Sequence, residues 1–385
     1  PAKDSLPAVM TPWGFEITNI DTFVLASYFG NLKNKNEQNK GHDSKVILEK
    51  IIKNEYLYID SGRPHAFSKT PGKFQCDPDW VNWGATLVRD KVQNTFNKTW
   101  RKCFNESFQA IESTPWSDLF STKSSSTASG EAYEPESYDK RSKVFIEMIK
   151  DSPMLSEAKY HDETQRLIDT CQPNVSLFKK NQIGGVREIY ILTWSFRRLI
   201  KVLEDYSRAL CKMHPSETLT KPSVKDSFIQ AHDVKVSKIK LPCKATFSWS
   251  GDMTNWANLF VNDQFRCLLK VLLPSDLYSF AEKILSLHEK KKLYLPRELL
   301  ENFIHNNSDF PDENLKRLRS EFLGFSTPQI TKEGRPYISN HTNMMQGILH
   351  YTSSIYHCAH LECLVGELET AFPGICVSFE VSSDD

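Results

Sequence analysis

Residues 375–385 read ICVSFEVSSDD. Ile375, Val377, Phe379 and Val381 alternate strictly with Cys376, Ser378, Glu380 and Ser382, the period-two signature of a half-buried β-strand. The alternation gives way to Ser383, Asp384 and Asp385, so two adjacent carboxylates stand at the predicted strand's end. A second stretch, KATFSWSGD at 244–252, has the same grammar: Ala245, Phe247 and Trp249 alternate with Thr246, Ser248 and Ser250, and Asp252 sits just past the end. Two strands in otherwise helical text predict an α+β, helix-rich chain.

At 385 residues the chain exceeds the usual size of one hydrophobic core, which predicts two or more lobes. Hydrophobic residues at 39%, aromatics at 11% and charged residues at 25% are ordinary globular values and exclude a fibrous or disordered class. Lys plus Arg equal Asp plus Glu, 48 each, so net charge supplies no bulk drive toward nucleic acid or anionic membrane, and any polyanion site must be a local channel. Nine cysteines, without a CxxC pair, argue for reduced thiols rather than a disulfide framework or a Cys-rich zinc site.

No run of about eighteen apolar residues occurs, and the opening PAKDSLPAVMTPWGF lacks the basic-then-apolar pattern of a signal peptide. The sequons at Asn97, Asn105, Asn174, Asn306 and Asn340 are therefore expected to stay unmodified. A chain that begins at Pro1 and stops at Asp385 is expected to be an internal piece of something larger.

Along the chain, the lysine- and asparagine-rich run at 31–55 reads as a solvated face that turns helical near Ser44. Residues 121–138, STKSSSTASGEAYEPESY, carry few large apolar side chains and predict a flexible linker and lobe boundary. A basic loop around Lys179–Arg187 then leads into a long amphipathic helix whose apolar face includes Ile191, Trp194, Val202, Tyr206 and Leu210. A helix through Trp256, Leu259, Phe260, Cys267, Leu268 and Val271 is predicted to stop at Pro274. Helices dominate to about Leu323, 324–336 is a Gly- and Pro-punctuated connection, and a helix from about Leu349 to Phe372 leads into the last strand.

If the two strands are neighbours, Asp252, Asp384 and Asp385 converge, and their repulsion raises their pKa values unless cations intervene. Hard divalent ions with oxygen ligands, Mg²⁺ or Mn²⁺, answer that requirement, and a pair roughly 3.5 to 4 Å apart clamps the attacking and leaving oxygens of an in-line phosphoryl displacement. The bland reading is an acidic turn. Lys179, Lys180 and Arg187, with Gly184 and Gly185 between them, make a plausible triphosphate cradle in which Glu188 orients Arg187; the bland reading is a basic surface turn. In NMMQGILHYTSS at 343–354, Gly347 frees the backbone before a helix whose first turns carry Thr352, Ser353 and Ser354, hydroxyls that could meet sugar or template backbone, or merely cap the helix.

KKNQIGGVREIYIL, SGDMTNW, MMQGILHYTSS and VSSDD, in this order, resemble motifs F, A, B and C of the RNA-dependent RNA polymerase region in the L proteins of bunyavirus-type segmented negative-strand RNA viruses, closest to the phlebovirus-like side. The resemblance is specific over 176–385 and looser over the opening half. It implies a right-hand polymerase: a mostly helical region over 1–120, a flexible linker over 121–141, fingers over 142–243, and a partial palm over 244–385 with a small antiparallel sheet and a helical fingers segment inserted at about 275–340. Carried over by position, Asp252, Asp384 and Asp385 hold two Mg²⁺ or Mn²⁺ ions. Lys179, Lys180, Arg187 and Glu188 serve the incoming nucleotide, while Gln346, Gly347, Ser353, Ser354 and Trp256 position template and ribose. The implied partners are RNA template and product, ribonucleoside triphosphates, viral nucleoprotein and the remaining segments of the L protein, with no transmembrane segment, in host cytoplasm and virion.

Asn255 stands where the family's motif A usually has lysine, and the family's later motifs and its cap-snatching endonuclease are absent from the sequence. CDPDW at 76–80 and YHDETQ at 160–165 lack the companion residues of that nuclease, so Asp79 and His161 read as surface residues. His357, His360 and Cys363 in HCAHLEC offer soft-metal ligands, but the spacing rotates Cys363 round the helix and a second ligand pair is lacking. Two rivals to RNA synthesis remain at this level: a catalytically incomplete RNA-binding or assembly fragment, and a two-metal nuclease.

Overall fold

Leu48, Ile51, Ile52 and Tyr56 fall on one helical face, and all four are buried in helix α1 (Lys40–Asp60). The computed structural model describes residues 40–64, 66–113, 125–127, 141–151, 160–182, 185–238, 251, 256–305, 310, 312–345 and 347–382. Helix α2 (Pro78–Phe96) begins where the Asp77 carboxylate accepts from the Asp79 N–H and Pro78 presets the first turn, and it ends at Asn97 in a left-handed conformation. Helix α3 (Trp100–Glu112) follows, then a short antiparallel pair, β1 (Ser125–Thr127) with β2 (Arg141–Lys143), and helices α4 (Val144–Asp151) and α5 (Tyr160–Gln165). The expected linker thus contains a paired strand; the rest of 121–140 lies outside the described residues.

Strands β3 (Asn174–Gln182) and β4 (Gly185–Leu192) form an antiparallel hairpin, where a basic loop was expected. The reason is legible afterwards: Val186, Glu188, Tyr190 and Leu192 alternate with Arg187, Ile189 and Ile191, and a glycine pair stands at the reversal. The amphipathic helix therefore starts later, as α6 (Trp194–Met213), and Ile191 belongs to β4. Helix α7 (Val224–Ser237) precedes the 244–252 stretch, whose expected strand lies outside the described residues apart from Gly251.

Residues 256–272 split into a 3-10 turn (Trp256–Leu259) and helix α8 (Asn262–Leu272), with Pro274 capping α9 (Ser275–Glu289). Strand β5 (Lys292–Tyr294), helices α10 (Arg297–His305) and α11 (Glu313–Phe322), strand β6 (Tyr337–Ser339) and helix α12 (His350–Ala371) complete the order. The main sheet runs β4-β3-β5-β6, with antiparallel outer pairs and a parallel β3–β5 pair. It is small, as expected, but mixed. The chain is a helix-rich α+β fold.

The predicted strand at 375–381 forms only one bridge: Val381 N–H donates to the Ser216 carbonyl (2.9 Å) and Thr218 N–H to the Val381 carbonyl (2.8 Å). Alternation specifies a strand only where a partner edge runs alongside, and here side chains hold the segment: Phe379 stacks on the His214 ring, and the Lys235 ammonium donates to Ser378 Oγ. No helix among the described residues is long and apolar enough to cross a membrane.

Helix α12 packs on α2, α6 and α8; most buried apolar side chains, from Leu48 to Val381, form one cluster, and Ala66, Phe74 and Val261 form a small second one. The closest approach is at Gly84 of α2: a Cβ there would stand 2.4 Å from the Ala359 carbonyl oxygen and 3.0 Å from Cys363 Sγ. Gly84→Ala should therefore force α2 and α12 apart, lowering stability by roughly 1–3 kcal/mol in denaturant melts. Gly366→Ala, whose Cβ would meet the ends of the Trp83 side chain at 3.1 Å and of Leu87 at 3.8 Å, should cost less; equal effects would refute the close crossing as the cause.

Candidate functional site

Across the β3–β4 ladder Lys180 pairs with Arg187 and Lys179 with Glu188, so the three cations expected at the nucleotide share one hairpin. The Glu188 carboxylate accepts from the Tyr190 hydroxyl at 3.3 Å, and that hydroxyl in turn accepts from Asn343 Nδ2 at 2.9 Å. Burial, with Glu188 beside it, pushes the Tyr190 phenol well above its usual range, so it stays a neutral donor. Glu188 is expected to orient Arg187, whose side chain lies outside the described ones; among the described residues Glu188 accepts from Tyr190.

Asn343 starts a strained loop. Asn343 (φ 75°), Met345 (φ 63°) and Gly347 (φ 79°) all lie in the left-handed region, which the two non-glycine residues enter at a cost. The surroundings impose it: Asn343 N–H donates to the Phe260 carbonyl (3.0 Å), Met344 N–H to the Ala257 carbonyl (2.9 Å), and Met345 N–H to Asn343 Oδ1 (2.8 Å). The loop is strapped between the 3-10 turn on one side and β4 on the other. Gly347 is solvent-exposed; Gln346 lies outside the described residues.

Helix α12 follows the loop. The first N–H groups of a helix have no acceptor in their own helix, and Glu204 of α6 supplies one: its oxygens accept from Tyr351 N–H (2.9 Å), Thr352 N–H (3.2 Å) and Thr352 Oγ (2.6 Å). Burial pushes the Glu204 carboxyl up to about 7 although these donors oppose the rise. Ser207 Oγ lies 2.8 Å from Thr352 Oγ, Ser353 Oγ donates to the His350 carbonyl (3.0 Å), and Ser354 Oγ to Glu217 (3.1 Å). All three hydroxyls that the sequence offered to sugar or template are buried and bonded within the protein.

Glu217 is fully buried, and its carboxylate also accepts from Leu219 N–H, Thr220 N–H and Thr220 Oγ. Ser216–Thr218 is the same segment that bridges Val381. One short stretch thus anchors both Ser354 and the backbone three residues before Asp384. Glu204 and Glu217 were missed in the sequence because an isolated glutamate carries no signal of what it will face. Trp256 packs edge-on against Phe260 and lies 5.0 Å from the His357 ring, tying the 3-10 turn to α12.

Asp252, Asn255, Asp384 and Asp385 lie outside the described residues, and among the described residues no group of three His, Cys, Asp or Glu is arranged to hold a metal. His360 Nδ1 accepts from the Trp80 indole (2.8 Å) and Cys363 Sγ donates to the Trp80 carbonyl (3.3 Å), so these possible ligands have other partners. Asp79 is exposed as expected. His161 is not: it is 5% exposed, with Nε2 3.2 Å from Asp205 Oδ2, because α5 docks on α6 through His161 and Thr164 despite its polar composition.

Comparison with known proteins gives the family. The family model described as Bunyavirus RNA dependent RNA polymerase matches residues 90–385. The chain is 37% identical to RNA-directed RNA polymerase L of Rice stripe virus over 195 residues, covering 50% of the chain and 7% of that protein. It is 25% identical to the protein of that name from Dabie bandavirus over 94% of the chain, and 28% identical to that of Heartland virus over 88%, covering 18% and 17% of those proteins. The chain therefore spans less than a fifth of the length of these relatives.

Two outcomes follow from the geometry. Tyr190→Phe should leave the buried Asn343 amide short of an acceptor and lower stability by about 1–3 kcal/mol, with hydrogen exchange rising at 343–347; unchanged exchange there would reject the strap. Glu204 has an ordinary value of 4.5 and sits at about 7 in the fold, so its stabilising contribution is fully present below about 4.5 and is lost as pH rises through about 7. Urea midpoints should show wild type losing on the order of 1–3 kcal/mol relative to Glu204→Gln between these limits, whereas a pH-independent difference would show that Glu204 does not titrate there.

Proposed function

The chain belongs to the bunyavirus RNA-dependent RNA polymerase family, and on that premise we propose that it forms the nucleotidyl-transfer part of a larger viral polymerase that copies RNA from ribonucleoside triphosphates. The observation that carries the proposal is the family match across 90–385, which contains all four ordered motifs. In this reading residues 142–243 are fingers and 244–385 a partial palm with an inserted helical segment at about 275–340. Viral nucleoprotein and the rest of the L protein are its partners, in host cytoplasm and virion.

The residues divide the work by chemistry. Lys179, Lys180 and Arg187 on the hairpin bind the triphosphate, Arg187 by a bidentate fork and the lysines as point charges. Glu188, bonded to Tyr190, ties the hairpin to the 343–347 loop, which with α12 orients template and ribose. Asp252, Asp384 and Asp385 are the oxygen donors suited to two Mg²⁺ or Mn²⁺ ions. When bound, such ions neutralise charge on the attacking and leaving oxygens of the displacement. The buried Ser353 and Ser354 act in this scheme by fixing α12.

Because the matched part is at most 18% of each of these relatives, the test belongs in the complete polymerase. Asp252→Ala or Asp384→Ala should reduce primer extension below detection with the melting curve unchanged; retained extension in either variant sinks the assignment. Lys179→Ala with Lys180→Ala should lower kcat/KM for nucleotides about ten- to a hundredfold, as loss of charge-assisted phosphate bonds predicts. Residues 1–385 alone are expected to bind RNA in a salt-sensitive way without synthesising it.

A further inference from the structure

Trp100 opens helix α3 beside the exposed face of α2 and the α8–α9 junction, and between them lies a cavity of about 360 Å³. Its walls include Arg89 and Gln93 of α2, Thr99, Trp100 and Arg101 at the start of α3, and the apolar 271–274 junction as a floor. We propose that this cleft is a second site, separate from the hairpin, that takes one nucleotide unit: a phosphate on the two guanidiniums and a base against the indole.

The charge is unspent. Arg266, Arg297 and Arg317 are all bonded to carboxylates, whereas neither the Arg89 nor the Arg101 guanidinium has an ion pair or hydrogen bond to any described residue. A guanidinium in a cleft with no acid to neutralise it is a ready fork for a phosphate, which it grips by two parallel N–H···O bonds. Thr99, the residue capping α3, makes no side-chain capping bond, so its hydroxyl can donate to the same anion.

The aromatic wall is fixed in advance. The Trp100 indole N–H donates to the Leu272 carbonyl at 3.0 Å, which sets the ring's plane, and the Arg89 guanidinium lies 6.0 Å from the ring centroid. Arginine beside an indole is the pairing that single-stranded nucleic acid uses, with bases stacking on the ring and phosphates on the cation. The volume lies at the low end of the small-molecule range of about 300–1,000 Å³, enough for one nucleotide. An acidic peptide would satisfy the arginines but leave the indole and apolar floor without a planar partner, so a nucleotide fits better.

The chemistry of the cleft stands without the polymerase reading, which enters only in the choice of RNA as probe. The test uses a short oligouridine carrying 4-thiouridine, photo-crosslinked to the 385-residue chain, with peptides mapped by mass spectrometry and affinity followed by anisotropy as salt rises. Crosslinks should fall within 89–101, persist in Lys179→Ala/Lys180→Ala, and vanish in Arg89→Ala/Arg101→Ala, whose salt slope should be shallower by about 1–2. Arg89→Lys/Arg101→Lys, which keeps charge but loses the fork, should retain weakened crosslinking.

Competition by UMP at that peptide would identify a free nucleotide as the source, and competition only by unlabelled oligouridine would identify RNA; either supports the site. Crosslinks confined elsewhere, a double variant indistinguishable from wild type, or displacement by polyglutamate but not by unlabelled oligouridine would overturn it. Retained primer extension in the Asp252 test would sink the polymerase reading and leave this result untouched, so the two proposals fail separately.

Discussion

The first turn of α12 presents N–H groups that its own helix cannot satisfy, and Glu204 reaches across from α6 to take those of Tyr351 and Thr352. A buried carboxylate is costly unless its lone pairs are filled, so Glu204 and the turn it caps are mutually dependent: each removes the other's desolvation cost. The contact decides where α12 begins and how it is rotated against α6. Thr352, Ser353 and Ser354 then face inward, Gly84 meets Ala359 at van der Waals limits, and the 343–347 loop must end at a fixed point. Most of what surrounds the motif B stretch inherits its position from that one contact.

The same device recurs. Fully buried Glu55 of α1 accepts from Asn340 Nδ2, His341 N–H, Thr342 N–H and Thr342 Oγ, and its Oε1 lies 2.7 Å from His341 Nδ1. Burial alone would push this carboxyl up, but the His341 contacts more than offset it and hold it below its usual value. Glu321 of α11 accepts three successive N–H groups, Gln329 to Thr331, and the Tyr56 hydroxyl. Lys291, also fully buried, donates to the Thr342 carbonyl (3.0 Å), and burial pushes its ammonium down to about 7 against the pull of Glu55. Each of these loops lacks a regular ladder of its own. A carboxylate with several acceptor sites replaces it, which lets irregular backbone sit inside the core without orphaned donors.

This explains which parts of the structure were legible in the sequence. Helix α12 is readable because periodicity is local: the expected Leu349–Phe372 and the observed His350–Ala371 differ by one residue at each end. The hairpin is legible in principle, since a glycine pair between alternating segments is a local signal, but a cluster of cations around glycines suits a loop equally well. The strand at 375–381 was misread because alternation states what a segment could pair with and not whether an edge is present. Glu204, Glu217, Tyr190 and Asn343 were invisible for a stronger reason. Each has a partner 137 to 153 residues away along the chain, and no spacing rule reaches that far.

The candidate site is accordingly a set of short motifs held by long-range polar bonds. The hairpin residues expected to meet a triphosphate connect through Glu188 and Tyr190 to Asn343, and Asn343 connects through Phe260 to the turn that follows Asp252. Asn343 and Met345 hold left-handed conformations that cost of order 1–3 kcal/mol each and persist only where the surroundings over-determine them. Loss of any one strap would release part of that strain into the loop before α12, because within the loop only the Met345 N–H bond to Asn343 Oδ1 and the freedom of Gly347 favour the observed backbone. Hairpin, loop and helix are therefore one mechanical unit: a displacement of β4 large enough to break the Tyr190–Asn343 bond removes one of the restraints that keep the loop in its strained form.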